Sequence, residues 1–385
     1  MSDVFVAAGG GGDPVGTAIT AAAISRAAAT AAAAAAATRT GTRTGTGTRT
    51  GTGTGELPTI VTYAWERLEV DPTPGPLGDG HFTGLSQVGE RPVVTSATRP
   101  VPPAGSTLPR LAGDLPARLV LLDPYQGLRG MAEQILRLAR DGHGVGDGDG
   151  EAHVRIVDIG GDVLAHGDEE TLCSPLVDAL TLAACKLAGV GATVYVAGPG
   201  TDGEIPQAVL LDRLGSRYLT PTTGDAATAA TALSWHPSEA SALFTAAIGG
   251  VRGTVRTVDR LIPLTDASAR VYHLDLDEAI RHNLVAGHLL ETLPPTLDEA
   301  ADLAAKLTGI HEIARERHRA HGRSPARAGL LPANRDQALE QVRATANGAD
   351  HVTYRFAARA LGLTWQQITA LRAVMGADDA VLTLA

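Results

Sequence analysis

Short apolar runs alternate along this chain with helical stretches, and glycine-rich turns follow two of those runs. This alternation predicts an α/β protein, with a mostly parallel sheet covered by helices on both faces and a small C-terminal helical segment. Strands buried on both faces read as continuous apolar runs, and parallel neighbours need a crossover long enough to hold a helix. Composition agrees. The chain of 385 residues is 44% hydrophobic and 19% charged, which is ordinary for a globular protein with a sizeable core. Aromatic residues are only 3%, so that core must be built mainly from Ala, Val, Leu and Ile.

The first run, Val4–Ala8, leads into Gly9–Gly12, Asp13, Pro14 and an Ala-rich helical stretch. Pro14 suits a first helical turn, where its missing N–H is no loss. The stretch Thr17–Ala37 is long enough to suggest a membrane span, but Ala is a weak hydrophobe and Arg26 interrupts it, so a soluble helix is expected. Residues 38–55 repeat Thr-Gly and Thr-Arg with nothing apolar to bury, and are expected to form a disordered insertion. Pro58–Leu68 reads as strand, while the prolines of Asp71–Pro76 exclude a ladder or a helix interior. Pro92–Thr98 and Ala117–Leu122 read as strands, the second followed by a helix through Arg140, and Asp141–Gly150 reads as a surface turn. Val154–Gly161 is a buried strand that closes on a second glycine turn, D-I-G-G-D.

Ser174–Leu187 reads as a helix with Ser174 at its N-cap; strand Thr193–Val196 and helix Pro206–Tyr218 follow. Thr228–Ile248 reads as one helical stretch, Val271–Leu274 as a last strand, and Leu297–His321 as one long helix ending in Arg and His. The tail carries short helices at Asp336–Thr345, Tyr354–Leu361 and Trp365–Val374. The expected organisation is therefore a three-layer, Rossmann-like domain over residues 1–325 and a helical segment over 326–385. Ligands collect at the carboxyl edge of such a sheet, where both glycine turns would fall.

A formal charge of -10 argues against the broad positive face that nucleic-acid or anionic-membrane binding requires. The spacing of the last two tail helices nonetheless resembles a helix-turn-helix and leaves DNA binding by the tail as a minor alternative. The expected partner is a small-molecule ligand, and a homo-oligomer is compatible with the sequence. The apolar start is broken by Gly9–Asp13 and has no basic residues before it, so no secretory leader is read and a cytoplasmic location is expected. Cys173 and Cys185 fit reduced thiols in that compartment.

The candidate chemistry begins at Gly9–Thr17. A strand, a glycine turn and a helix N-terminus together leave backbone N–H groups beside the positive end of a helix dipole, which suits a phosphate. Gly9, Gly10, Gly11, Gly12, Gly16 and Thr17 are the expected phosphate contacts. The lysine of a P-loop is missing, and Gly10, Gly12 and Gly16 miss the dinucleotide spacing by one residue. Carboxylates accumulate around the motifs at Asp13, Glu66, Asp71, Asp158, Asp162, Asp168, Glu169 and Asp178. They would repel a phosphate unless a divalent cation intervened, so Mg²⁺ is the expected companion, with Asp13 and Asp162 as ligands or base because each directly follows glycines. Helix capping is the competing reading of both. His166, next to Asp168, is a candidate general acid or base, and Arg67 and Arg99 are candidate anion clamps. No H-E-x-x-H, C-x-x-C or G-x-S-x-G is present, which removes sequence support for zinc or a serine hydrolase.

Three separated stretches, G-G-G-G-D-P-V-G-T at 9–17, W-E-R-L-E-V-D-P-T-P-G-P at 65–76 and V-D-I-G-G-D-V-L-A-H-G-D-E-E-T-L-C-S-P-L-V-D-A at 157–179, resemble the domain of unknown function 1152 family. The resemblance runs in order from about Val4 to His321 and implies the fold boundary, but no mechanism. The functional expectation is an enzyme acting on a phosphorylated small molecule or nucleotide. The alternative is a non-catalytic metabolite sensor that signals through its C-terminal helices.

Overall fold

A computed structural model describes residues 3–40, 57–89, 91–142, 152–321, 328–376 and 379–384. Five strands run parallel at the centre of a nine-stranded sheet: β1 (Val4–Ala7), β2 (Thr59–Thr62), β3 (Arg118–Leu121), β4 (His153–Ile159) and β5 (Gly191–Ala197). Their spatial order is β3-β2-β1-β4-β5. The chain thus builds outward from β1 on one side and returns to build outward on the other. Between β1 and β4 the crossovers leave in opposite directions, which opens a crevice at the carboxyl ends of those two strands.

Period-two alternation divides the core. Val4 and Val6 of β1 face one apolar cluster with Met131, Ile135, Leu180 and Leu289, while Phe5 and Ala7 face another with Val15, Ile19, Leu108 and Phe244. Each fully buried side chain of this size contributes roughly 1.5–3 kcal/mol relative to exposure. Helix Asp13–Thr40 follows the first glycine turn, and its opening turns belong to the second cluster. By length and composition, Asp13–Ala35 could cross a membrane. Here Val15, Ile19 and Ala23 are fully buried within the protein, and Arg26 Nε donates to Asp225 at 2.9 Å. These contacts make its first half a core helix.

The expected mostly parallel sheet is present, with strands Arg91–Val94 and Val271–Asp275 running antiparallel to β3 and β5 at its flanks. Several finer expectations change. Thr228–Ile248 breaks into Ala230–Leu233 and Glu239–Ile248, because Pro237 cannot continue a helix and Ser238 caps the next one. Leu297–His321 breaks at Gly309, whose φ of +75° ends Leu297–Thr308, and His311 caps Glu312–Ala320. The helix expected from Ser174 begins at Val177. The repeat over 38–55 falls, from residue 41, outside the described residues, as does most of the turn at 141–150.

The tail holds the three expected helices, at Arg335–Thr345, Tyr354–Ala360 and Ile368–Met375. It also adds strands His351–Thr353 and Val381–Thr383, which complete a four-stranded sheet with Gly253–Arg256 and Leu261–Leu264. Trp365 Nε1 donates to the Glu69 carbonyl at 2.7 Å, and Arg355 pairs with the Glu69 carboxylate at 3.0 Å. The tail is therefore tied to the loop that follows β2.

Candidate functional site

A cavity of about 520 Å³ opens at the carboxyl ends of β1 and β4. Gly9–Asp13 from the first turn, Asp162 from the second and Asp202 from a third turn after β5 reach it from the sheet edge. Glu312 and Glu316 enter from helix Glu312–Ala320, and Arg355 and Arg359 enter from the tail. Carboxylates outnumber arginines among the lining side chains, so the interior favours positive charge.

Asp13 and Asp178 line this cavity, and with Asp158, buried behind its wall, they bring carboxylate oxygens within 4.8 Å of one another. Asp13 opens helix Asp13–Thr40, Asp178 sits in the first turn of helix Val177–Ala188, and Asp158 is the penultimate residue of β4. The positive ends of two helix dipoles therefore face the cluster and offset part of its repulsion. Asp158 and Asp178 are almost wholly buried, yet Asp158 Oδ2 and Asp178 Oδ1 have no hydrogen-bond partner among the described residues. A buried carboxylate oxygen left unpaired costs desolvation energy unless it meets a proton or a cation.

Burial pushes the Asp13 carboxyl up to about 7, against the Gly9 hydrogen bond and the Arg67 charge and with added repulsion from Glu204. Burial likewise raises Asp202 to about 7, with Glu204 adding to the shift. Asp158, Asp162 and Asp178 stand well above the usual carboxylate range, first through burial and then through mutual repulsion. A hard divalent cation takes several carboxylate oxygens and displaces the protons such a cluster holds.

The first glycine turn forms one wall. Gly9 N–H donates to Asp13 Oδ2 at 2.8 Å. The amides of Gly10, Gly11 and Gly12 have no acceptor among the described residues, and all three residues line the cavity. Packing within the protein also explains the glycines. A Cβ at Gly10 would lie 2.5 Å from Trp65 Cβ and 2.6 Å from its carbonyl oxygen, one at Gly12 would overlap Ser238, and Gly11 has a φ of +61°. Close approach and unused donors thus coexist in one turn.

The remaining walls are cross-braced. Glu204 accepts from Cys173 N–H at 2.7 Å, Ser174 N–H at 2.9 Å and Ser174 Oγ at 2.7 Å. Arg67 lies 3.7 Å from both Glu204 and Glu316. Glu66 accepts from Thr107 N–H and Oγ1, both at 2.6 Å, and His236 Nε2 lies 3.1 Å from the same Thr107 oxygen. Burial lowers His236 to about 3, so it stays neutral; Ser238 N–H donates to Nδ1, which leaves the Nε2 proton for Thr107.

Of the expected site residues, Gly9, Gly10, Gly11, Gly12, Asp13, Asp162 and Arg67 meet at this cavity. Gly16 and Thr17 do not line it. The helix begins at Asp13, so both lie inside it, where the missing Cβ of Gly16 lets the helix press on Ile159 of β4. Gly16→Val is accordingly expected to cost about 1–3 kcal/mol of stability through overpacking, measured by urea unfolding, while cation affinity stays unchanged.

His166 is exposed, its Nδ1 3.1 Å from Asp168 Oδ1, and it is absent from the cavity wall. Arg99 donates to the carbonyls of Ser96 and Thr98 on the surface, and Asp71 lies outside the cavity wall, its Oδ1 accepting from Thr73 and Gly105 in a loop while its buried Oδ2 has no partner among the described residues. Ser174 bonds to Glu204 and does not cap a helix. The closest group of carboxylates is Asp13, Asp158 and Asp178, while Asp162, expected beside Asp13, stands on the wall with Ser174 Oγ at 3.4 Å. Asp202, Glu204, Glu312 and the tail arginines were not anticipated. The turn A-G-P-G-T-D after β5 carried the same signal as the first two and could have revealed Asp202.

Fold and site together define an α/β protein with an acidic cavity at the point where its strand order reverses. Residues 46–320 match the family described as protein of unknown function (DUF1152), and the chain belongs to that family. The matched span includes β2 through helix Glu312–Ala320 and therefore Asp158 and Asp178, while Asp13 precedes it and the tail follows it. No curated protein and no solved structure matches the chain.

Proposed function

We propose that this protein binds a phosphorylated small molecule or nucleotide together with a divalent cation, and acts on it as a cytoplasmic enzyme. The observation that carries this reading is the convergence of Asp13, Asp158 and Asp178 beside three unpaired glycine amides. We read the β3-β2-β1-β4-β5 order as a Rossmann-like, three-layer arrangement, in which the reversal point is the usual ligand crevice. A bare phosphate would be repelled by this wall, so the anion and the cation must enter as a pair. Bound Mg²⁺ would supply charge neutralisation and a fixed template for the phosphate oxygens. The Gly10–Gly12 amides hold the anion, and Asp162 or Asp202 accepts a proton from the ligand or from water.

Thermal-shift screening of nucleotides and sugar phosphates, each with and without Mg²⁺, tests this directly. At one hundred times Kd a ligand stabilises by about 2.7 kcal/mol. A phosphorylated compound is expected to raise the Tm only when Mg²⁺ is present. Stabilisation by phosphates without the cation, or by none of them with it, contradicts the reading. The reach of Arg355 and Arg359 into the cavity favours one second reading, a sensor that reports ligand through the tail. Turnover of the ligand found in the screen separates the two.

A further inference from the structure

The cavity arginines are not equivalent. Arg67 is shared between Glu204 and Glu316, and Arg319 lies 3.2 Å from Glu316. Arg260 donates to the carbonyls of Gly203 and Thr171, the latter at 2.7 Å, and Arg355 bridges Glu69 at 3.0 Å and Glu239 at 3.6 Å. Arg359 lines the same cavity and is exposed, and its guanidinium makes no hydrogen bond or ion pair to any described residue; Glu69 feels its charge only through space. Its helix, Tyr354–Ala360, is held in place by the Arg355 bridge and by Thr353 Oγ1 donating to Glu239. Arg359 is thus carried by an anchored helix, with the donors of its guanidinium unspent among the described residues. It follows Arg355 by one helical turn and so enters the cavity from the tail, on the side of Glu69, whereas Asp13 and Asp178 line it from the sheet edge.

We propose that Arg359 binds a second anionic group of the ligand, so that the protein selects compounds with a phosphate at the carboxylate cluster and another phosphate or carboxylate at the far end. The proposal rests on the cation-and-phosphate reading above and narrows its substrate class to bis-anionic metabolites. A planar guanidinium suits this role because its fork of donors matches the oxygens of a carboxylate or phosphate. The tail that carries it lies beyond the family-matched residues, so the ligand's far end is read by a part of the chain outside the family core.

The test uses the full-length protein with Mg²⁺ and a series of straight-chain diols of increasing length, each as the monophosphate and the α,ω-bisphosphate. Affinities are measured by calorimetry for the wild type, Arg359→Ala and Arg359→Lys. At one or more lengths the wild type is expected to bind the bisphosphate about ten- to a hundredfold more tightly than its monophosphate, as a charge-assisted hydrogen bond provides. Arg359→Ala removes that advantage and leaves monophosphate affinity unchanged, while Arg359→Lys keeps part of it. A bisphosphate advantage that survives Arg359→Ala, or one absent at every length, overturns the proposal while the parent reading stands on monophosphate binding. Failure of every monophosphate to bind with Mg²⁺ overturns both.

Discussion

Asp158→Asn is expected to weaken Mg²⁺ or Mn²⁺ binding by about a hundredfold or more, ~2.7 kcal/mol, and also to raise the Tm of the cation-free protein at pH 8. The two effects share one cause. Asp158 is buried against Asp13 and Asp178 with an unpaired oxygen, so its charge is unfavourable in the cation-free protein and would be offset by the proposed cation. Asn keeps the shape and removes both the charge and a hard oxygen ligand. Asp178→Asn should repeat the pattern. Asp168→Asn, at an exposed carboxylate outside the cavity, should leave both the Tm and cation affinity at wild-type values. Titration calorimetry and thermal unfolding read the two effects separately. A fall in apo Tm with unchanged cation affinity would mean that Asp158 is a structural acid, and the cation reading would fail.

Cation-free protein is expected to lose stability as the pH rises from about 6.5 to 8. Asp13 and Asp202 ionise near 7 in the folded chain and near 3.8 when unfolded, and Glu312 is likewise raised to about 7 by burial. The folded state therefore holds more protons in that interval, and unfolding becomes easier as they are lost. This contribution is complete below the unfolded values and disappears through the folded ones. His236 acts with the opposite sign, because burial keeps it neutral down to about 3 while the unfolded imidazole protonates near 6.5. Its effect is confined below about 6.5, which leaves the upper window to the carboxyls. Saturating Mg²⁺ should flatten or reverse the slope, since the cation takes the place of the protons. Urea melts at four pH values, with and without Mg²⁺, measure this. Cation-free stability that rises through the window would contradict the assigned protonation.

The parts of this site that could be read from the sequence are those made within one short segment. Gly9–Asp13 announces a turn at a strand end because its apolar run, glycines and proline are contiguous, and the same logic found Asp162. The register of the helix was not legible. Gly16 and Thr17 fit ligand contacts by motif spacing, yet a helix that starts at Asp13 carries Gly16 onto Ile159 of β4 and buries Thr17. Asp158 and Asp178 are two of many carboxylates around the motifs, and their partnership depends on β4 lying beside β1 and on a helix start at Val177. Those are long-range consequences of strand order, and no local pattern encodes them. The nearness of His166 to Asp168 is a two-residue spacing, but which way the pair faces follows from packing, and it faces solvent. The same limit hid Arg355 and Arg359, since a tail read as separate helices gives no sign that its strands complete a sheet next to the cavity.

The most direct measurement is anomalous diffraction from crystals of the full-length protein soaked in Mn²⁺ at pH 8. The account predicts one strong manganese peak at roughly 2.0–2.3 Å from carboxylate oxygens of Asp13, Asp158 and Asp178, lost in Asp158→Asn crystals. A map with no peak at those three residues, or with manganese only at surface carboxylates, would contradict it.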